Sequence, residues 1–240
     1  MISAAEIKFI KSLSQKKFRD EQGLFVVEGE KMVAEAEASR LEVVQVWRRA
    51  AIGEVAMSRI SSLASPSPVL AVVRKPADLH QGKMPGRGLY LALDCIRDPG
   101  NMGTILRIAD WFGIDAVYAS PDSVDLFNPK VVQSTMGAIF RVRFHYTDIP
   151  ALCRKVLQDG GQVYGTFLDG KNIYHRSLDN GMDAPSVIVI GSESHGISPE
   201  VAACVSDRLY IPPYPAGDPG SESLNAAVAT AIAVAEFRRR

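Results

Sequence analysis

The feature that most constrains the fold is a regular alternation of short Val/Ile/Leu runs with helical segments after residue 88. Apolar strands separated by helices are typical of a mostly parallel sheet with helices on both faces, an α/β fold. The predicted strands are 89–93, 116–119, 141–145, 163–167, 187–190 and 208–211. The predicted helices start near 102 and 129, span 149–158, and recur near 199 and at the C-terminal end. Ligands of open α/β sheets bind outside the carboxyl ends of the strands, so the loops there are the first candidates for a site.

A second, smaller α/β unit is expected at the N-terminus. Strand-like runs at 24–27, 43–47 and 69–73 alternate with helical stretches over a short distance, which is typical of a compact α/β domain. Proline and glycine then interrupt every period up to Gly88. We therefore expect a domain at 1–75, a linker at 76–88 and a second domain at 89–240.

Composition excludes several classes of protein. No apolar run approaches the length that a bilayer requires and the first residues lack a signal-peptide pattern, so we expect no membrane association and a cytoplasmic location. The three cysteines, Cys95, Cys153 and Cys204, are far apart without C-x-x-C spacing, which supports neither a disulfide framework nor a zinc site. We expect them to be small buried apolar residues.

The charge balance gives no sign of a nucleic-acid partner. Lys plus Arg equals Asp plus Glu at 27 each, whereas nucleic-acid-binding proteins usually present a basic surface. Basic residues do cluster at 8–19 and again at 141–155. Such clusters are either RNA contacts or solvated faces, and the sequence leaves both interpretations open.

Three blocks of polar and small residues follow predicted strands. In the first block, residues 93–107, the turn Asp98-Pro99-Gly100-Asn101 leads into a helix. Asn101 stands where it could cap that helix. Arg107 falls on the face opposite the apolar positions, so it points to solvent, a ligand or a second subunit.

The second block, Gly191-Ser192-Glu193-Ser194-His195-Gly196, follows a buried strand. Its small residues allow the backbone to approach a ligand closely, although an ordinary loop after a strand would look similar. A serine nucleophile elbow is a competing interpretation. It fails because an α/β-hydrolase needs its histidine downstream of the serine, and no histidine lies usefully downstream.

The third block begins with Ile211-Pro212, continues through a Gly/Pro loop to Gly220, and reaches Ser221-Glu222-Ser223-Leu224-Asn225. Ser223 and Asn225 stand near a helix start, where capping is the simplest explanation. The following helix carries an apolar stripe of small residues. That stripe is suited to core packing, to an oligomer interface, or to both.

Taken in order, the three blocks resemble the signature motifs of the SpoU (TrmH-type) branch of the SPOUT RNA methyltransferases. The resemblance implies a C-terminal trefoil knot and S-adenosyl-L-methionine as cofactor. It implies that the 1–75 domain binds the RNA substrate and that the protein is a homodimer through its C-terminal domain, without a metal. The implied catalytic residues are Asn101, Arg107, Glu193, Ser223 and Asn225, and the implied cofactor-binding residues are Thr166, Gly191, Ile211 and Leu224.

By this resemblance, the expected reaction is methyl transfer from S-adenosylmethionine to a ribose 2′-hydroxyl. Arg107 is expected either to act as a general base or, because a guanidinium normally stays protonated, to clamp a phosphate. The N-terminal domain favours ribosomal RNA over transfer RNA as substrate. An RNA-binding protein that has lost turnover is the alternative outside enzymes. The loop at 213–220 is longer than is usual in the family, which affects the expected cofactor contacts.

Overall fold

The computed structural model describes residues 2–79, 85–178, 181–215 and 223–239. Short 3₁₀ turns lie at Ala138–Phe140 and Ile173–His175. The helices of the described residues are α1 (Ala4–Ser12), α2 (Lys16–Gln22), α3 (Glu30–Glu37), α4 (Arg49–Ile52), α5 (Glu54–Ile60), α6 (Pro99–Trp111), α7 (Pro129–Ser134), α8 (Ile149–Gln158), α9 (Pro199–Ala202) and α10 (Ala226–Arg238). The strands are β1 (Leu24–Glu28), β2 (Val43–Arg48), β3 (Val69–Arg74), β4 (Gly88–Leu93), β5 (Ala116–Ala119), β6 (Phe144–Tyr146), β7 (Gln162–Asn172), β8 (Pro185–Ile190) and β9 (Asp207–Tyr210).

Contacts divide the chain into two units. The N-terminal unit comprises Met1–Ala77 together with Asp125–Arg141, and the C-terminal unit comprises Asp78–Val124 and Val142–Arg240. A division by sequence order alone does not anticipate that residues 125–141 join the N-terminal unit. Of the expected linker, residues 80–84 lie outside the described part of the chain.

The N-terminal unit is built on a three-stranded antiparallel sheet in the order β1-β3-β2. The central strand β3 is buried along most of its length because Val69 to Val73 are all apolar. Ser3 starts α1 with a capping box that pairs it with Glu6, and Gly23 ends α2 in the left-handed region that glycine tolerates best. The apolar side chains of α1, α5 and the sheet form one core around Leu13, Met57 and Leu70.

Segment 125–141 completes this unit through buried contacts. The guanidinium of Arg19 is 2% exposed and donates to the carboxylate of Asp125 at 2.5 and 3.2 Å. The rings of Phe25 and Phe127 lie 4.6 Å apart. Arg19 therefore has a structural role, and the expectation that the whole 8–19 basic cluster is either an RNA contact or a solvated face is wrong for this residue.

The C-terminal unit is a six-stranded sheet in the order β6-β5-β4-β8-β7-β9, and every pairing is parallel. The predicted parallel α/β sheet is confirmed. One face packs on α8 and α9 through residues such as Ala92 and Val189. Side chains that point to the other face of the sheet, such as Leu91 and Ile188, are fully buried as well. Helices α6 and α10 pack together beside strands β5 and β8. Both faces are thus covered.

Some element boundaries differ from the predicted ones for identifiable reasons. Helix α6 begins at Pro99, because the Asp98 carboxylate accepts from the Asn101 amide at 2.8 Å and proline suits the first helical position. Strand β6 begins at Phe144 rather than 141, since Arg141 belongs to the N-terminal unit. No helix among the described residues is long and apolar enough to cross a membrane.

Candidate active site

The first two blocks emerge side by side at one edge of the parallel sheet. Leu93 at the end of β4 pairs with Ile190 at the end of β8, and the backbone N–H of Asp94 donates to the carbonyl of Ile190 at 2.9 Å. Strands β7 and β9 run parallel to them, so the third block, which follows β9, starts from the same edge. The sheet topology therefore brings the first block together with two loops that follow it about a hundred residues later in the sequence.

In the first block, Asp98 and not Asn101 caps helix α6. The Asn101 side chain is consequently free of the capping role that its position also suggested. Arg107 lies six residues further along α6, on the face opposite the buried Ile105. Its guanidinium is exposed and, within the described residues, makes no hydrogen bond or ion pair. Arg107 is a cation available to a ligand or a second subunit.

The second block forms a small closed loop. The amide of Ser192 donates to the carbonyl of Gly196 at 3.0 Å, and the amide of Gly196 returns a bond to Ser192 at 2.9 Å. A Cβ on Gly191 would lie 2.1 Å from the Gly196 carbonyl carbon, so only glycine fits at the base of this loop. Glu193 stands exposed at its tip.

The serine hydrolase interpretation finds no support in the geometry of this loop. The hydroxyl of Ser194 lies 2.7 Å from Nδ1 of the adjacent His195. In a catalytic triad the histidine contacts serine through Nε2 and is oriented by an acid at Nδ1. Within the described residues no acidic group contacts His195.

In the third block, Asn225 caps helix α10. Its Oδ1 accepts from the amides of Ala227 and Val228 at 3.0 and 3.2 Å. Leu224 is 45% exposed, and Ser223 is exposed without a hydrogen bond among the described residues. The preceding positions 216–222, which include Ser221, Glu222 and most of the long loop, lie outside the described part of the chain.

One hydrogen-bonded chain joins the three blocks, and we call it the Asn101 network. Asn225 Nδ2 donates to Asn101 Oδ1 at 2.9 Å, and Asn101 Nδ2 donates to Glu193 Oε1. An ionised carboxylate only accepts, so Asn101 must turn its NH₂ group to Glu193 and its oxygen to Asn225. Asn225 then keeps its own oxygen for the α10 cap. The network fixes both amide orientations and holds the Glu193 carboxylate in place.

The expected cofactor residues surround the same edge of the sheet. Thr166 is half-buried on β7 and pairs with Leu209 of β9. Ile211 is half-buried directly after β9. Together with the glycine backbone at Gly191 and the exposed Leu224, they offer apolar surface and close backbone approach, which suit a small organic ligand. The described residues contain no group of His, Cys, Asp or Glu that could hold a metal ion.

Two of the three cysteines match the expectation of burial, and the third does not. Cys153 and Cys204 are buried, whereas Cys95, directly after Asp94, is half-buried with a φ of 61°. Partial burial and a hydrogen bond with Asp122 raise the pKa of the Cys95 thiol. It is therefore protonated at neutral pH and is a poor nucleophile.

Asp94 is a residue of this region to which the sequence assigned no role. Its side chain is 6% exposed, and Oδ2 accepts from the backbone N–H of Ser198 at 2.7 Å. The sequence shows only that an acidic residue directly follows an apolar strand, and its burial is seen in the structure alone.

Comparison with known proteins agrees with this arrangement. Residues 88–235 match the SpoU rRNA Methylase family and residues 4–73 match an MRM3-like substrate binding domain. The chain is similar to the 23S rRNA (guanosine(2553)-2′-O)-methyltransferase RlmP of Bacillus subtilis, with 29% identity over 97% of this chain and 96% of that protein.

Solved structures give the same result. A TrmH-family protein from Porphyromonas gingivalis matches with a TM-score of 0.87 and 40% identity over 99% of this chain and 98% of the other. An AdoMet-bound rRNA methyltransferase from Sinorhizobium meliloti matches with a TM-score of 0.83 and 28% identity over 99% and 96% of the two chains. With three converging blocks and a family match over most of its length, the chain belongs to the SpoU rRNA methylase family.

Proposed function

We propose that this protein transfers a methyl group from S-adenosylmethionine to a ribose 2′-hydroxyl of ribosomal RNA. The single observation that carries the proposal is the Asn101 network, which joins the three blocks of the family at one edge of the sheet. Ribosomal RNA as the substrate class draws on the name of the B. subtilis relative, which extends over nearly the whole chain. It also draws on the match of residues 4–73 to a substrate binding domain.

The residues at the sheet edge fit the cofactor. S-adenosylmethionine supplies an electrophilic methyl group on a sulfonium centre. Thr166, Gly191, Ile211 and Leu224 would hold it, because Gly191 leaves room for backbone contact and Ile211 and Leu224 keep apolar surface available. The trefoil knot that the family implies would enclose the same region, and it remains a prediction.

Arg107 is the proposed partner of the RNA. An arginine stays protonated in proteins, so we assign it to clamp a phosphate and to stabilise negative charge on the ribose oxygen rather than to act as a base. The absence of an internal ion pair among the described residues leaves its charge available for that role. Asn101, Glu193, Ser223 and Asn225 would orient the nucleotide around it.

A homodimer is part of the proposal. Helices α6 and α10 lie side by side, joined at their starts by Asn101 and Asn225 and at their ends by Arg238, which donates to the carbonyls of Phe112 and Gly113. On these helices Trp111 is 86% exposed and Val228 is 47% exposed. Tryptophan is enriched at protein interfaces, so the exposed Trp111 at the end of α6 supports an interface there. Arg107, one turn before Trp111, would then lie at that interface and could serve the site of the partner subunit.

The decisive experiment is a methyl-transfer assay. The purified protein is incubated with S-adenosylmethionine labelled in the methyl group and with ribosomal and transfer RNA in separate reactions. We expect label on ribosomal RNA that is lost with Arg107→Ala and kept with Asp159→Ala, which alters an exposed side chain at the end of α8 that has no role in the proposed site. Label on transfer RNA alone would favour that substrate. Cofactor binding without transfer to either RNA would favour a silent RNA-binding protein.

A further inference from the structure

The loop of the second block is fixed at both ends by different means. At its entry, Gly191 is packed so closely on the Gly196 carbonyl that no side chain fits. At its exit, the chain passes through Ile197 to Ser198, and the Ser198 N–H donates to the buried carboxylate of Asp94. Asp94 belongs to the first block, so this bond ties the end of β4 to the end of the loop that carries Glu193.

The bond is unusual as a purely structural element. Asp94 is 6% exposed, and within the described residues no cation pairs with it. Burial of a carboxylate with so little compensation costs free energy. The Ser198 side chain forms no capping bond with α9, so the backbone N–H is what this position contributes. A buried charge that fixes a loop is better explained by what the loop must do than by fold stability.

We infer that Asp94 is a positioning residue for the cofactor site, acting through the Ser198 amide on the Gly191–Gly196 loop. Its carboxylate holds the loop closed, so that the Gly191 backbone and the Glu193 carboxylate are in place before the cofactor arrives. Loss of the bond would let the loop open and would weaken cofactor binding. This inference rests on the proposed function, because it assigns the loop to S-adenosylmethionine.

Four single variants test the inference. Asp94→Ala removes the acceptor, and Asp94→Asn removes the charge but keeps an oxygen that can accept. Ser198→Pro removes the donor from the other side, and the φ of −60° at Ser198 suits proline. Asp159→Ala alters an exposed carboxylate at the end of α8 in the same unit and serves as the matched control.

Binding of S-adenosylmethionine is measured by calorimetry, and hydrogen exchange is followed in a peptide that covers residues 191–198. We expect Asp94→Ala and Ser198→Pro each to weaken binding by about tenfold or more and to speed exchange at the Ser192 and Gly196 amides. Asp94→Asn should recover most of the affinity, and Asp159→Ala should match the unaltered protein. Melting curves identify any variant that fails to fold. If either Asp94→Ala or Ser198→Pro does not fold, the other of these two variants is used for the test.

Either of two results would overturn the inference. One is unaltered affinity in Asp94→Ala and Ser198→Pro, and the other is weakened binding with unaltered exchange in the loop. A combined Asp94→Ala/Ser198→Pro variant should bind no more weakly than the singles, because both remove the same bond. If the unaltered protein does not bind S-adenosylmethionine at all, the proposed function fails, while the exchange measurement still tests the Asp94–Ser198 bond.

Discussion

Replacement of Arg19 by methionine should destabilise the N-terminal unit severely. The substitution keeps the unbranched stem but removes the guanidinium, which donates to Asp125 at 2.5 and 3.2 Å and to the carbonyls of Leu13 and Ser14 at 2.9 and 2.7 Å. Removal of one member of a buried ion pair leaves the other charge uncompensated and costs about 3–5 kcal/mol. Because whole domains are stable by about 5–15 kcal/mol, we expect a large fall in the urea midpoint.

The two tryptophans make the measurement specific to this unit. Trp47 is buried in the N-terminal core, whereas Trp111 is exposed on α6. In a Trp111→Phe background, fluorescence during urea unfolding reports on Trp47 alone. The matched control is Arg48→Met, since Arg48 forms an exposed ion pair with Glu37 at 3.7 Å. Exposed pairs contribute about 1 kcal/mol or less, so this control should change the midpoint little.

A double variant separates loss of the charge pair from loss of packing. Arg19→Met combined with Asp125→Leu removes both charges, so no buried carboxylate is left unpaired. Replacement of a whole buried pair by apolar residues is often neutral or stabilising. We therefore expect the double variant to be more stable than Arg19→Met alone. Equal destabilisation of the two, or a cost of Arg19→Met no larger than that of Arg48→Met, would refute the reasoning.

Three further predictions concern the C-terminal unit. Gly191→Ala should weaken S-adenosylmethionine binding by about tenfold or more, because its Cβ would meet the Gly196 carbonyl; Gly86→Ala, which has open space around it, should not. Asn225→Asp keeps the α10 cap but cannot donate to Asn101, so it should preserve the melting temperature and lower methyl transfer by about tenfold. Asn225→Ala should also cost about 1 kcal/mol of stability. Burial raises the pKa of Tyr118 and of the Cys153 thiol to about 12. Both stay neutral in the folded state while the unfolded chain ionises from about pH 8.5, so urea stability should be full below that pH and should fall as the pH rises toward 12.

The parallel sheet could be predicted because its signals are local. The apolar runs at 89–93, 116–119 and 187–190 lie within strands that the structure shows, and each is buried on both faces. Strand ends follow from strand positions, so the convergence of the three blocks also follows once the sheet is known to be parallel. The roles expected for the residues at those ends rest on the resemblance to the SpoU family and not on the apolar strand pattern.

The composition of the N-terminal unit could not be predicted, because it depends on contacts between distant parts of the sequence. In the sequence, segment 125–141 lies between β5 and β6 of the C-terminal sheet, where an ordinary connection between two strands is expected. Arg19 reads as one of several basic residues near the start of the chain. Their relation is seen in contacts of the folded chain, such as the buried pair of Arg19 with Asp125, 106 residues apart. A charge cluster does not reveal which of its members is buried.

Asn101 illustrates how far local reasoning reaches. As a polar residue in the first helical turn, it could equally have been Asp or Ser by capping preference alone. The Asn101 network excludes both alternatives at position 101. An aspartate would place a second carboxylate against Glu193, and a serine would be too short to bond both Glu193 and Asn225. At 225 an aspartate would cap α10 equally well, yet it could not donate to Asn101. Asparagine is therefore required at both positions because each amide must donate in one direction and accept in the other.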